Sequence, residues 1–158
     1  MINILLTAAG SPVFIPTCKS LKSNPNLQAL SIHTCDMNPS ARGLKIADSF
    51  CYVPPGNSQE YIPTVYSYCK ENQIELIIPA ADEELFPLSQ SEEMFRNIGC
   101  KILVSNIHTL RKIQNKASLY NVCCQSLSLE EIVPEFRVCN NLSSFENYFK
   151  EIYSLGHQ

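Results

Sequence analysis

Ten residues near the N-terminus, Asn3-Ile4-Leu5-Leu6-Thr7-Ala8-Ala9-Gly10-Ser11-Pro12, constrain this chain more than any others. They read as a buried strand running into a small-residue turn and then a helix start. Ile4, Leu5 and Leu6 form the continuous apolar run that a parallel strand covered on both faces requires. Ser11-Pro12 offers an N-cap hydroxyl before a proline suited to the first helical position. Such a unit is the first βα turn of an open α/β sheet. In these sheets ligands collect at the carboxyl ends of the strands, where the N–H groups of the following helix can meet an anion.

The glycine pattern narrows the ligand. A dinucleotide fingerprint needs three spaced glycines, and only Gly10 is present here, with no Walker-type Gly-Lys-Ser/Thr anywhere. A standard NAD or P-loop site is therefore disfavoured. Ala8, Ala9 and Gly10 also suit close helix–sheet packing with no ligand at all, and the sequence leaves both readings open.

With 158 residues the chain is long enough to bury a real core. A hydrophobic content of 45% with 17% charged residues marks a globular protein. The net charge is -3 and the basic residues are scattered, so there is no electrostatic footprint for nucleic acid. No apolar run is long enough to cross a bilayer, and the N-terminus lacks the basic and apolar regions of a signal peptide. The expectation is a cytoplasmic protein with neither nucleic acid nor membrane as a partner. Eight cysteines, Cys18, Cys35, Cys51, Cys69, Cys100, Cys123, Cys124 and Cys139, sit mostly in apolar segments without C-x-x-C spacing, which predicts reduced, largely buried thiols. His33, His108 and His157 lie far apart and away from cysteines at ligand spacing, so zinc has little support.

Strand and helix signals alternate along the chain. Phe14, Cys18 and Leu21 share a helical face that ends at Ser23-Asn24-Pro25-Asn26, and a strand follows over Leu27 to Cys35, stopping at Asp36. A third strand over Ser49 to Val53 runs into Pro54-Pro55-Gly56. Ile62, Val65, Tyr66 and Cys69 then form an amphipathic stripe. Ile74 to Ile78 is an interior strand ending at Pro79, followed by Ala80-Ala81-Asp82-Glu83-Glu84, whose acids suit the positive end of a helix. Gly99 closes that helix, and Lys101 to Val104 is a fifth strand. This succession predicts a doubly wound, mainly parallel sheet. Pro16, Pro63 and Pro87 each fall about four residues beyond a plausible N-cap, so those helices either start late or bend.

The last third differs in character. Ser105 or Asn106 caps a short helix through Leu110 and Ile113, and a second helix around Leu119, Val122 and Cys123 follows Asn115-Lys116. Ile132 to Val138 reads as extended, with Pro134 restricting it to an edge. Ser143-x-x-Glu146 is a capping box before a helix whose Phe145, Tyr148, Phe149, Ile152 and Tyr153 form one broad apolar face. That face asks for a cover, either a further domain of a longer protein or a second copy in a homo-oligomer.

Taken in order, these segments resemble the N-terminal domain that precedes the nucleotide-binding core of ATP-grasp ligases, in particular proteins similar to the carbamoyl-phosphate synthase large subunit. The resemblance is carried by Asn3 to Gly10, Asp36, Ala47-Asp48 with Val53-Pro54-Pro55, and Ile77-Ile78-Pro79-Ala80-Ala81-Asp82-Glu83-Glu84-Leu85. Lys101 to Ser105, Asn115-Lys116 and Val133-Pro134 complete it. It implies a Rossmann-like α/β pre-ATP-grasp domain over residues 1–114, then the start of an ATP-grasp region with a short C-terminal helical extension over 115–158. It also implies a parent enzyme that uses ATP and Mg to form an acyl phosphate, which an amine or ammonia then attacks. On this resemblance the substrate, a small carboxylate or amine, meets Thr7, Ala8, Ala9, Gly10, Asp36, Asp82 and Glu83, while Lys116 meets the nucleotide.

Asp82 and Glu83 are the strongest candidates, because an acid there can accept hydrogen bonds from an amine and orient it. Each of these positions also has a purely structural reading. Asp82 and Glu83 suit helix-dipole compensation, Asp36 suits a cap on the turn at Asn38 and Pro39, and Lys116 suits a solvated helix start. The groups that would clamp ATP and magnesium lie in domains beyond Gln158 on this resemblance, so residues 1–158 alone are expected to bind no cofactor and not to turn over. The competing reading is a stand-alone Rossmann-like module that binds a small metabolite or nucleotide through the Gly10 loop.

Overall fold

The apolar run at the N-terminus forms the central strand of the sheet. The computed structural model describes residues 2–27, 29–125, 129, 132–134 and 136–154, which divide into two compact units, residues 1–110 and 111–158. In the first unit five parallel strands lie in the order β3-β2-β1-β4-β5: β1 Ile2–Leu6, β2 Leu30–Asp36, β3 Ser49–Tyr52, β4 Leu76–Ile78 and β5 Lys101–Ile102. Ile4 sits opposite Ile32 on one side and Leu76 on the other. The chain winds from β1 outward to β3, then crosses back to β4, so the switch point lies between β1 and β4. In a doubly wound sheet that is where ligands bind, outside the carboxyl ends of the strands.

Alternating side chains of the strands supply two cores. Leu6, Ile32, Phe14, Cys18 and Leu44 pack on one face beneath α1 (Phe14–Ser23). Leu5, Cys35, Ile77 and Ile102 face the other way, against Tyr61, Val65 and Cys69 of α2 (Tyr61–Glu71) and Leu88 and Phe95 of α3 (Asp82–Gln90) and α4 (Glu92–Arg96). Each fully buried large side chain contributes about 1.5–3 kcal/mol, which is why the near-continuous apolar strands specify this two-sided arrangement. At the sheet's β3 side, the Asp48 carboxylate accepts from the Ile32 N–H at 2.8 Å and pairs with Lys22 at 2.8 Å, tying α1 to the sheet.

Several boundaries differ from the sequence expectation for identifiable reasons. Pro25–Leu27 forms a 3-10 turn, so β2 begins at Leu30. The first helix starts at Phe14, because Ser11, Pro12 and Val13 form a turn in which the Phe14 N–H donates to the Ser11 carbonyl at 3.1 Å. Pro16 and Pro63 are then third residues of their helices, where a missing N–H costs nothing. Pro87 lies inside α3, and the expected single helix breaks at Ser91, whose N–H donates to the Pro87 and Leu88 carbonyls. Gly99, at φ +81°, ends α4 as its position predicts.

After β5 comes α5 (Ile107–Ile113); within the second unit, Asn115 caps α6 (Lys116–Gln125), its side-chain oxygen accepting from the Ser118 N–H at 3.2 Å. The cap of α7 (Leu142–Ser154) is Asn141, not Ser143: its side-chain oxygen accepts from the Ser144 N–H at 2.8 Å, and the Ser144 hydroxyl takes the reciprocal role. Phe145, Phe149 and Tyr153 stack along α7 with centroids 6.1 Å apart at each step. Glu135 lies outside the described residues, and the remaining described residues of the run expected to be extended, 132–138, form no strand.

Candidate functional site

The switch point is built on a buried threonine. Thr7 follows the last residue of β1, and its backbone N–H donates to the Ile78 carbonyl at 3.1 Å, holding the ends of β1 and β4 together. Its hydroxyl accepts from the Ala80 N–H at 3.0 Å and donates to the carboxylate of Glu84. Thr7 is wholly buried and Glu84 is 5% exposed. One side chain thus fixes both the loop after β4 and the first turn of α3.

Ala8 then adopts φ +50°, a left-handed conformation that L-residues rarely take. The turn aims Ala8 at one hollow and the following residues at another. The first, a cleft of about 350 Å³, is lined by Ala8, Asp36 and Met37, by Val53-Pro54-Pro55-Gly56-Asn57 after β3, and by Ala81, Glu83 and Glu84. The second, of about 360 Å³, lies beside Ala9, Gly10, Ser11 and Pro12, with Asn38, Ser40, Ala41 and the exposed Arg42 opposite.

Asp36 lines the first cleft, and its carboxylate reaches Gly10 and Asn38, which line the second. One carboxylate oxygen accepts from the Gly10 N–H at 2.7 Å, the other from the Asn38 N–H at 2.7 Å. A Cβ on Gly10 would stand 3.2 Å from that carboxylate, so a glycine suits this approach. Asp36 therefore caps its own turn and also faces the first cleft. Gly56 approaches α3 in the same way, since a Cβ there would lie 2.9 Å from Glu84 Cγ.

Every charged side chain that lines the first cleft is acidic: Asp36, Glu83 and Glu84. Burial raises the Glu84 carboxyl above its ordinary value, Asp36 adds to the rise, and the Thr7 hydroxyl and the neighbouring Tyr61 phenol pull it back. The Tyr61 hydroxyl is itself buried, with no partner in hydrogen-bond geometry, and burial raises its pKa strongly.

The residues singled out from the sequence are distributed as follows. Ala8, Asp36 and Glu83 line the first cleft, Ala9 and Gly10 line the second, and the buried Thr7 lines neither but holds Glu84 and Ala80 beside the first. Asp82 is the exposed first residue of α3 and does not line the cleft. Lys116 is the exposed first residue of α6 in the second unit. Glu84 escaped the sequence reading. Its signal was the spacing Glu84, Leu88, which puts it on the buried face of α3.

Comparison with known proteins places this arrangement in a family. The family described as PylC-like, N-terminal domain, matches residues 4–103, a stretch that holds all five strands except Ile2 and Asn3. The chain belongs to this family. Among solved structures, the PylC-like domain superposes on N5-carboxyaminoimidazole ribonucleotide synthetase from Thermotoga maritima with a TM-score of 0.57 and 18% identity, covering 94% of this chain and 36% of that one. It matches the biotin carboxylase domain of a thermophilic 2-oxoglutarate carboxylase bound to bicarbonate at a TM-score of 0.55 and 14% identity, covering 99% and 42%. The biotin carboxylase subunit of pyruvate carboxylase gives a TM-score of 0.55 and 16% identity, covering 96% and 33%. The PylC-like chain thus spans between 33% and 42% of the length of these chains. No curated protein matches it. Its fold is the Rossmann-like pre-ATP-grasp domain expected from the sequence, and nothing in these matches singles out the carbamoyl-phosphate synthase large subunit. Among the described residues no helix is long and apolar enough to cross a membrane.

Proposed function

We propose that this chain is the substrate-side domain of an ATP-grasp carboxylate–amine or ammonia ligase, akin to the carbamoyl-phosphate synthase large subunit and acting through an acyl phosphate. Its cleft holds the amine-bearing substrate. The observation that carries this reading is the all-acidic charge of the cleft beside an apolar wall of Met37, Val53, Pro54 and Pro55. A protonated amine brings hydrogen-bond donors to Asp36 and Glu83, whereas a carboxylate would meet like charge. Ala8 forms the floor, Thr7 holds the Glu84 side of the wall, and Asp82 stands at the rim on the same helix end. Ala9 and Gly10 shape the adjoining hollow.

On this reading residues 1–114 are the pre-ATP-grasp domain and 115–158 begin the ATP-grasp region, with Lys116 meeting the nucleotide. ATP and Mg belong to the parent enzyme. Among the described residues no group of three or more His, Cys, Asp or Glu side chains is placed to hold a metal ion. No step of phosphoryl transfer is assigned to them, and the chain alone is inactive. The enzyme is cytoplasmic, and the aromatic stripe of α7 packs on another domain or a second copy.

The test is an amide chemical-shift titration of the chain with n-butylammonium and, separately, with butyrate. The amine is expected to shift Ala8, Asp36, Gly56 and Glu83, and Glu83→Gln is expected to weaken that binding. Shifts in the first cleft with butyrate, or none with the amine, would overturn the reading. Butyrate or phosphate shifting Gly10 and Arg42 instead would favour a stand-alone module that binds an anion in the second hollow.

A further inference from the structure

Beneath the cleft two parallel strands bring a pair of cysteines together. Cys35, the last residue but one of β2, is the register partner of Cys51 on β3. Register partners on parallel strands point to the same face, and neighbouring strands run about 4.8 Å apart. That separation lies within the roughly 4.4–6.8 Å of Cα distance that a disulfide spans. Cys51 also packs against the buried cluster that contains Cys35.

The two sulfurs differ in access. Cys35 is fully buried, while Cys51 is half-buried on β3, the edge strand of the sheet. A second pair, Cys69 and Cys100, shares that buried cluster but is sealed, with exposures of 1% and 0%.

We propose that Cys35 and Cys51 form a redox pair in which a peroxide oxidises Cys51 and Cys35 then closes a disulfide between β2 and β3. The Cys51 thiolate attacks the peroxide O–O bond, giving a sulfenic acid and releasing hydroxide, which takes up the proton lost from the thiol as water. The Cys35 sulfur then attacks the Cys51 sulfur, the S–O bond breaks, and the hydroxyl leaves as a second water with the Cys35 proton. Two thiols are oxidised and one hydrogen peroxide is reduced to two waters.

The order of events follows from the environment of each sulfur. Exposure lets peroxide reach Cys51 first, and donation from the Cys35 S–H favours the Cys51 thiolate, which is the reactive form. The neighbouring Cys51 sulfur together with burial raises the Cys35 pKa and holds the thiol protonated until an electrophilic sulfur forms beside it. The bond would join the strands just ahead of Asp36 and Val53, so it ties together two walls of the cleft.

The experiment exposes the full chain to hydrogen peroxide, blocks remaining thiols with N-ethylmaleimide under denaturing conditions, and maps unreduced proteolytic peptides by mass spectrometry. The expected product is a peptide pair linked through Cys35 and Cys51, lighter by two hydrogens and released by dithiothreitol, with Cys69 and Cys100 alkylated. Cys51→Ser should slow loss of the Cys35 thiol by about tenfold or more, since the buried sulfur then lacks its electrophile. Cys35→Ser should leave a Cys51 sulfenic acid that dimedone captures. A link from either cysteine to any other, Cys51 over-oxidised without a link, or both thiols intact when the half-buried Cys123, Cys124 and Cys139 have reacted would overturn the proposal. Because the wild-type chain gives the decisive peptide, the result does not depend on the variants folding.

Discussion

Replacing Thr7 by valine tests the support under the cleft, because the two side chains share a shape and differ in one hydroxyl. That hydroxyl serves two partners, the Ala80 N–H at 3.0 Å and the Glu84 carboxylate. Leaving the Ala80 N–H without a partner costs about 1–3 kcal/mol, and losing a hydrogen bond to a charged group costs about 1.5–3 kcal/mol. The second loss applies only when Glu84 is ionised. Burial raises the Glu84 pKa above 4.5, so the stability its neutral form supports is full below that value and is lost as pH rises through the folded-state pKa. The Thr7 hydroxyl limits that loss by favouring the anion. Thr7→Val should therefore destabilise the domain by about 2 kcal/mol in mild acid and by about 4 kcal/mol at alkaline pH. Urea unfolding at about pH 4 and about pH 8 reads both values, with Thr7→Ser as the control that keeps the hydroxyl. A pH-independent loss, or one as large for serine as for valine, would refute the reasoning.

Two further substitutions probe the turns around the site. A Cβ at Gly43 would stand 2.5 Å from the Ala9 carbonyl oxygen and closer still to the Phe14 ring, so Gly43→Ala should cost about 3 kcal/mol in urea unfolding, and a change below about 1 kcal/mol would show that the contact yields easily. Ala8→Gly removes a left-handed penalty of roughly 1–2 kcal/mol at φ +50° against an entropic cost of about 0.5–1 kcal/mol, so thermal unfolding should show a net gain of about 0.5 kcal/mol, and a clear loss would contradict the strain.

Much of the fold was legible because the strands carry their own signal. Ile4-Leu5-Leu6 and Ile77-Ile78 are apolar on both faces, which only a covered parallel sheet accommodates. Boundaries were less legible where backbone geometry outweighed composition. Ser11-Pro12 carries the residues of a helix start, yet hydrogen bonding within the turn delays α1 to Phe14. Ser143 and Glu146 match the capping-box pattern, but Asn141 reaches the exposed N–H first. At the site, Asp36, Glu83 and the small-residue turn could be read as strand-end residues. The inward direction of Glu84 could not, since it depends on the helix phase set by Thr7 across the sheet. Equally, the split of the Thr7–Gly10 loop between two hollows follows from the single left-handed turn at Ala8, which no composition rule announces.

The double engagement of Asp36 limits how this region can vary. With one oxygen committed to Gly10 and the other to Asn38, the segments after β1 and β2 behave as a single riveted plate. Any guest that claimed this carboxylate outright would strip two amides of their partner, so recognition is cheaper through its spare lone pairs. Diversification of ligand preference on such a scaffold therefore falls to the exposed positions of the opposite bank, Pro55 and Asn57 after β3 and Glu83 in the opening turn of α3, which can change without unfastening the plate.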